Sequence, residues 1–152
     1  MTCIAHCLSR VAEKIRIEYP IVNNWISIIK RVFVKAPFRV NWFRHAYPAI
    51  PLSPEPIITR WGTWLEACIY HAQYFNVFEE FLPGLDSEDS EAIDEAQRLC
   101  TDIELYQALV VISSNYKPLV DSISSVEAEG LQLSKAILIL DKVSQSISSK
   151  FI

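Results

Sequence analysis

Hydrophobic positions recur at helical spacing along the first third of the chain. Between residues 3 and 18 the apolar side chains follow the i, i+3, i+4, i+7 pattern of one helix face. They are Ile4, Cys7, Leu8, Val11 and Ile15. Pro20 suits the first turn of a second helix. Its apolar side is predicted to bury Trp25, Ile28, Ile29, Val32 and Phe33.

A short aromatic helix and a proline-rich linker follow. Pro37 predicts the start of a third helix, Phe38–Tyr47. Prolines at 48, 51, 54 and 56 exclude a helix over 48–57 and predict an extended linker. Three of them have PxxP spacing, which also suits a groove on another protein. A stiff crossover between helices is the simpler interpretation.

Helical spacing resumes after the linker. Thr63 and Glu66 fit a capping box and predict a fourth helix, which continues to Phe81 and ends at Pro83-Gly84. His71 falls on its aromatic face, and a hydrogen-bonded core histidine is the default expectation.

Three more helices are expected in the last third of the chain. The fifth follows the acidic stretch 86–91 and covers 92–110, with a candidate break at Thr101. The sixth opens at Pro118 and closes at Gly130, and the seventh covers 133–151. The stretch 86–91 is not expected to bind calcium, because the glycine of such a loop is missing.

These elements predict the fold class and the domain organisation. With no convincing alternating strand, we expect an all-α protein, an irregular bundle of six or seven helices. The parts are a basic helical segment at 1–47, a Pro-rich linker at 48–58 and a helical segment at 59–152. Together they predict one domain, which suits a length of 152 residues.

Charge is unevenly distributed along the chain. Residues 1–47 carry a net charge of +6, whereas residues 83–152 carry −7. A basic front can mark a side that faces a polyanion. The alternative is an imbalance between solvated helix faces.

The compartment is predicted from features that the sequence lacks. It shows no signal peptide, no Asn-X-Ser/Thr sequon and no apolar run long enough to span a bilayer. We therefore expect an intracellular, reduced and soluble chain, with neither a membrane nor a small-molecule substrate as partner.

The densest group of metal-ligand types is Cys3, His6 and Cys7, which one helix turn brings together. A structural zinc needs four ligands, and no second tight pair is present. The simpler interpretation is a small helix face packed against its neighbours, with His6 hydrogen-bonded. We expect no metal, no cofactor and no Cys–His catalysis.

Thr59, Arg60 and Trp61 follow the linker directly. An arginine next to a tryptophan can contact a phosphate while the indole stacks on a base. A core anchor beside a surface charge is the alternative. Motifs for phosphate-binding loops, esterases and zinc proteases are missing from the sequence.

The order of these pieces resembles the middle of hAT-superfamily DNA transposases and their host-derived relatives. Cys3 and His6 match the family's CxxH motif, and Thr59-Arg60-Trp61 matches its T-R-W motif. A Lys-Ala-Pro lies between the two motifs. The resemblance covers roughly residues 3–80 and is loose beyond.

The resemblance implies a fragment of a larger catalytic fold. In that family three acidic residues bind two divalent metals in an RNase H-like domain interrupted by a helical insertion. The two acids that precede CxxH have no counterpart here, and the context of the third is not recognisable. We therefore expect no enzyme activity. A nuclear location and an ancestral role in DNA transposition are implied by resemblance alone.

The resemblance also implies nucleic-acid contacts. Trp61 matches a tryptophan expected near the transposon end, where an indole can hold an unstacked base. The candidate phosphate contacts are basic residues that precede residue 61. They are Arg10, Lys14, Lys30, Arg31, Lys35, Arg39, Arg44 and Arg60. The alternative function is a helical module that dimerises or binds another protein. An enzyme of an unrelated class is the remaining alternative.

Overall fold

The computed structural model describes residues 4–57 and 61–127, with isolated positions at 138, 141, 142 and 145. Seven α-helices fill most of the two described ranges, and no strand occurs in them. The predicted all-α bundle is thus confirmed. The helices are α1 (Ile4–Glu18), α2 (Pro20–Phe33), α3 (Pro37–Ala46), α4 (Trp61–Gln73), α5 (Phe75–Phe81), α6 (Glu91–Leu99) and α7 (Ile103–Glu127). The predicted stop at Gly130 and most of the predicted helix 133–151 lie outside the described residues.

The first three helices begin and end close to where the sequence predicts. Pro20 and Pro37 lie in the first turns of α2 and α3. Backbone N–H groups in a first turn have no acceptor within the helix, so the missing N–H of a proline costs no hydrogen bond there. The apolar side of α2 is buried as expected, except that Phe33 is only partly buried. On α1, Leu8 and Ile15 are buried as predicted, but Cys7 is exposed. Ala12, rather than Cys7, completes the buried face of the helix.

Residues 48–57 form the predicted connection without a helix. The linker is fastened to α4 by polar contacts. The Tyr70 hydroxyl donates to the carbonyl oxygen of Pro51, and Ser53 Oγ lies 2.8 Å from His71 Nε2. Ile50 and Leu52 pack against the core. The prolines thus keep this segment extended across buried side chains.

Helix α4 begins earlier than predicted. It starts at Trp61, so Thr63 lies inside the first turn, and the expected capping box with Glu66 is wrong. Thr63 Oγ1 instead accepts a hydrogen bond from the backbone N–H of Ile57 over 2.8 Å. The threonine therefore ties the end of the linker to the helix.

The predicted fourth helix is broken in two at Tyr74. This residue has φ −110° and ψ 19°, outside helical values, and α5 starts at the next residue. The change of direction lets Phe75 and Phe78 reach Trp25 of α2, with ring centroids 5.9 and 6.1 Å apart. Aromatic packing explains a break that helical spacing alone does not indicate.

The acidic stretch leads into α6 as expected. Ser90 is the N-cap, and its Oγ accepts from the backbone N–H of Ala92 over 3.2 Å. Helix α6 ends at Leu99, and α7 begins at Ile103, so the candidate break at Thr101 is confirmed.

Pro118 does not open a helix, contrary to the prediction. It is an interior residue of α7, which continues through it to Glu127. Leu119 and Ile123 beyond it are buried, and α4 and α7 form the most extensive helix contact. Gly62 permits the close approach, since a Cβ there would lie 3.1 Å from Ile123 Cγ2. This packing outweighs the cost of a proline inside a helix.

Candidate nucleic-acid interface

Helix α3 is anchored to the bundle by one aromatic residue. Phe43 is fully buried and contacts Phe33, Phe78 and Phe81, with ring centroids 5.2 to 5.8 Å apart. These partners come from α2 and α5. The buried ring fixes the orientation of α3, and therefore fixes which of its residues face outward.

Two large aromatic side chains of α3 remain exposed. Phe38 is 75% exposed and Trp42 is 39% exposed. The two rings lie one helical turn apart with centroids 6.1 Å apart, and the inner edge of Trp42 packs against Phe81 at 5.8 Å. With Asn41 and His45 they line a shallow surface depression of about 360 Å³. Trp42, packed against Phe81, and Phe38, which lies against Trp42, together form an exposed aromatic platform.

Exposed basic residues precede and follow these rings along the chain. Helix α3 contains no acidic residue, and Arg44 and His45 are exposed in its last turn. Lys35, in the turn before α3, is also exposed. Lys35 and Arg44 make no ion pair within the described ranges, so both cations are available to an anionic partner. An acidic side chain does lie at the end of α3: burial raises the pKa of Tyr47, the residue after the helix, and the charge and hydrogen bond of Glu80 add to this.

Lys35 has an unusual backbone conformation. Its φ is 53°, in the left-handed region that residues other than glycine rarely adopt. The Ala36 N–H bonds back to the Phe33 carbonyl, and Pro37 starts α3 immediately afterwards. This tight turn determines where the Lys35 side chain emerges relative to Phe38.

Three of the predicted phosphate contacts already have partners in the protein. Lys30 pairs with Glu55 at 3.1 Å, and Arg31 pairs with Glu95 at 3.0 Å. Arg39 is partly buried, and its Nη1 donates to the carbonyl oxygen of Val32 over 3.0 Å at the end of α2. The first two pairs are exposed and weak enough to be exchanged. Arg39 is a structural cap rather than a surface cation.

The predicted cations of α1 lie on a different helix from the platform. Arg10 and Lys14 are exposed, as are His6 and Cys7. The expectation of a packed, hydrogen-bonded Cys–His face is therefore wrong, because the core side of α1 is formed by Leu8, Ala12 and Ile15. The structure thus does not bring all the predicted basic residues into one patch.

Much of the two family motifs falls outside the described residues. Cys3, Thr59 and Arg60 are not described, and Trp61 is described only as the first residue of α4. Their predicted roles stay predictions. Within the described ranges no three His, Cys, Asp or Glu side chains are grouped so that they could hold a metal ion. No helix in the same ranges is long and apolar enough to cross a membrane.

The sequence alone does not identify the platform. The aromatic content of α3 is evident, and Trp42 and Phe43 are neighbours that cannot both face the core of a helix. Two adjacent aromatic residues on a helix therefore indicate that one of the two rings is exposed. Which ring it is depends on Phe33, Phe78 and Phe81, which come from other parts of the chain.

Comparison with known proteins identifies no relative. No protein-family model, no curated protein and no solved structure matches this chain.

Proposed function

We propose that this chain is a nucleic-acid-binding helical module descended from a hAT-like transposase and lacking that family's catalytic acids. The observation that carries the binding part is the exposed Phe38–Trp42 platform on a helix that contains the exposed Arg44 and follows the exposed Lys35. The transposase part rests on the sequence motifs at Cys3–His6 and Thr59–Trp61.

The geometry favours unpaired bases over an intact duplex. Exposed aromatic rings stack on bases of any identity, and nearby cations contact the phosphates between them. Bases in a duplex are already stacked on one another, so stacking on the platform adds little binding free energy for duplex DNA. We infer that hairpin loops and single strands, such as those at processed transposon ends, are the preferred ligands.

The family motifs supply the second part of the proposal. If Trp61 keeps the role that the resemblance implies, it is a further base contact at the start of α4. A nuclear location follows from the same proposed ancestry. We propose DNA binding as the role of these 152 residues, in which the metal-binding acidic triad of that family is not recognisable.

A salt series tests the proposal. The purified chain is titrated with labelled single-stranded, hairpin and duplex DNA at increasing salt, and binding is followed by fluorescence anisotropy. We expect single-stranded and hairpin DNA to bind more tightly than duplex, with affinity falling as salt rises. No binding at low salt, or an affinity independent of salt, would refute it.

A second candidate function is self-association, and α7 is the observation that favours it. Ile103, Tyr106, Val110 and Val111 are all exposed on α7. The first three follow i, i+3, i+7 spacing, which is typical of an apolar helix face that meets a partner. A second copy of the chain would cover this face with the same residues.

Sedimentation velocity separates the two candidates. Self-association through α7 predicts a concentration-dependent dimer that Val110→Glu converts to monomer. Lys117→Glu, an exposed change further along α7, is the control and should leave the dimer intact. A monodisperse monomer at all concentrations excludes this second candidate.

A further inference from the structure

Asn41 lies on the same face of α3 as the two rings of the platform. Phe38, Asn41, Trp42 and His45 follow i, i+3, i+4, i+7 spacing and together line the surface depression of about 360 Å³. All four residues are exposed. The volume lies within the range of small-molecule sites and is enough for one base. A ligand held in this depression therefore meets an amide as well as two aromatic rings.

The two rings cannot both stack on the same base. Their planes are inclined at 59° to each other, with centroids 6.1 Å apart. Stacking needs nearly parallel planes, so a flat base stacks on one ring at a time. The edge of that base is left open to hydrogen bonds from polar side chains of the same depression.

The amide of Asn41 is not used by the fold. Within the described ranges it makes no hydrogen bond to another protein group. Other amides do have structural partners: Asn23 accepts from Arg16 Nε over 2.9 Å, and Gln97 donates to two backbone carbonyl oxygens after α5 over 2.9 Å. The carbonyl oxygen and the NH₂ group of Asn41 are both free to bind a ligand.

Adenine is the base whose edge best complements an asparagine amide. Its N6 amino group donates and its N7 accepts, side by side, so that Asn41 can make two parallel hydrogen bonds to it. Guanine presents two acceptors, N7 and O6, on the same edge, which suit arginine or lysine. Thymine presents one acceptor and a methyl group there.

We propose that the platform selects adenine among unpaired bases through the amide of Asn41. This inference rests on the proposed nucleic-acid binding and adds base selectivity to it, since stacking alone accepts any base. Phe38 and Trp42 supply the stacking surface, and Asn41 determines which base is preferred.

The base analogue 7-deazaadenine separates the hydrogen bond from stacking. It replaces N7 by a C–H group and keeps the amino group and the flat two-ring shape of adenine. Labelled oligo-dA, oligo-dT and the 7-deazaadenine strand, all of equal length, are titrated with the purified chain at low salt and followed by fluorescence anisotropy. We expect oligo-dA to bind about fivefold more tightly than the 7-deazaadenine strand, because one of two paired hydrogen bonds is lost.

Three variants assign this difference to one residue. Asn41→Ala should bind oligo-dA and the 7-deazaadenine strand with equal affinity. Asn24→Ala, at an exposed asparagine of α2, is the matched control and should keep the difference. His45→Gln changes another residue of the same depression and should keep it as well. All three side chains are exposed, so none of the changes removes core packing.

The outcomes distinguish this inference from the function on which it rests. Equal binding of oligo-dA and the 7-deazaadenine strand by the wild type would overturn adenine selection while leaving nucleic-acid binding in place. A difference that persists in Asn41→Ala, or that disappears in Asn24→Ala as well, would overturn the assignment to Asn41. Failure of all three strands to bind would overturn the proposed function and this inference together.

Discussion

Trp25 of α2 donates its indole N–H to Nδ1 of His71 of α4 over 3.1 Å. Since Nδ1 accepts, the neutral ring carries its proton on Nε2, which faces Ser53 Oγ at 2.8 Å. His71 is fully buried, and burial lowers its pKa from 6.5 to about 3. The expectation of a hydrogen-bonded core histidine is confirmed, and one imidazole joins α2, α4 and the linker.

This arrangement makes stability depend on pH. The unfolded chain binds a proton at His71 below pH 6.5, but the folded chain does not until about pH 3. The free energy of unfolding should therefore fall as pH drops below 6.5, by up to about 1.4 kcal/mol per pH unit from this group. Urea unfolding at pH 7.5, 6.5 and 5.5, a range above most carboxylate titration, measures it.

Two variants assign the effect to His71. His71→Gln should flatten the profile between pH 6.5 and 5.5, whereas the double variant His6→Gln/His45→Gln should retain the slope, because both of those side chains are exposed. A slope that survives His71→Gln would contradict the assignment.

Ser53 should contribute to docking of the linker. Ser53→Ala removes the partner of His71 Nε2 and leaves a buried N–H unsatisfied. We expect a loss of about 1–3 kcal/mol in unfolding free energy, measured in urea at pH 7.5. Ser87→Ala, at a partly buried serine in a short 3-10 helix, is the control and should change stability little. Equal effects of the two changes would argue against the docking role.

Pro118 should be replaceable with a gain in stability. It is exposed inside α7 and cannot donate the backbone hydrogen bond that its position offers. Pro118→Ala should raise the unfolding free energy by about 1–2 kcal/mol, the gain in helix propensity being partly offset by a freer unfolded chain. Lys117→Ala is the neighbouring exposed control. A lower urea midpoint for Pro118→Ala would mean that the proline is needed where it stands.

The helices were predictable where a local pattern decides them. Pro20 and Pro37 mark two helix starts, and the spacing of Trp25, Ile28 and Val32 marks a buried face. Each of these signals lies within a few residues of what it predicts, so long-range packing was not required.

The errors occur where distant residues decide. Tyr74 interrupts a continuous helical pattern because Phe75 and Phe78 pack against Trp25, about fifty residues earlier in the chain. Pro118 stays inside α7 because that helix packs along α4. The local pattern of hydrophobic residues contains neither of these long-range contacts.

The candidate sites follow the same rule. Positive charge before residue 48 is evident from the sequence, but the partners of Lys30, Arg31 and Arg39 are not. The sequence also does not reveal that Nε1 of Trp64 is buried without a hydrogen-bond partner.

The platform on α3 is tested most directly by removing one exposed ring. Phe38→Ala deletes a side chain that is 75% exposed, so the fold should be retained. Ile17→Ala, at a side chain 70% exposed on α1, is the matched control. Both are compared with the wild type for binding to a labelled oligo-dT strand by fluorescence anisotropy at low salt. We predict that Phe38→Ala weakens binding by about tenfold while Ile17→Ala binds like the wild type. Unchanged binding by Phe38→Ala, or equal loss in both variants, would contradict nucleic-acid recognition by this surface.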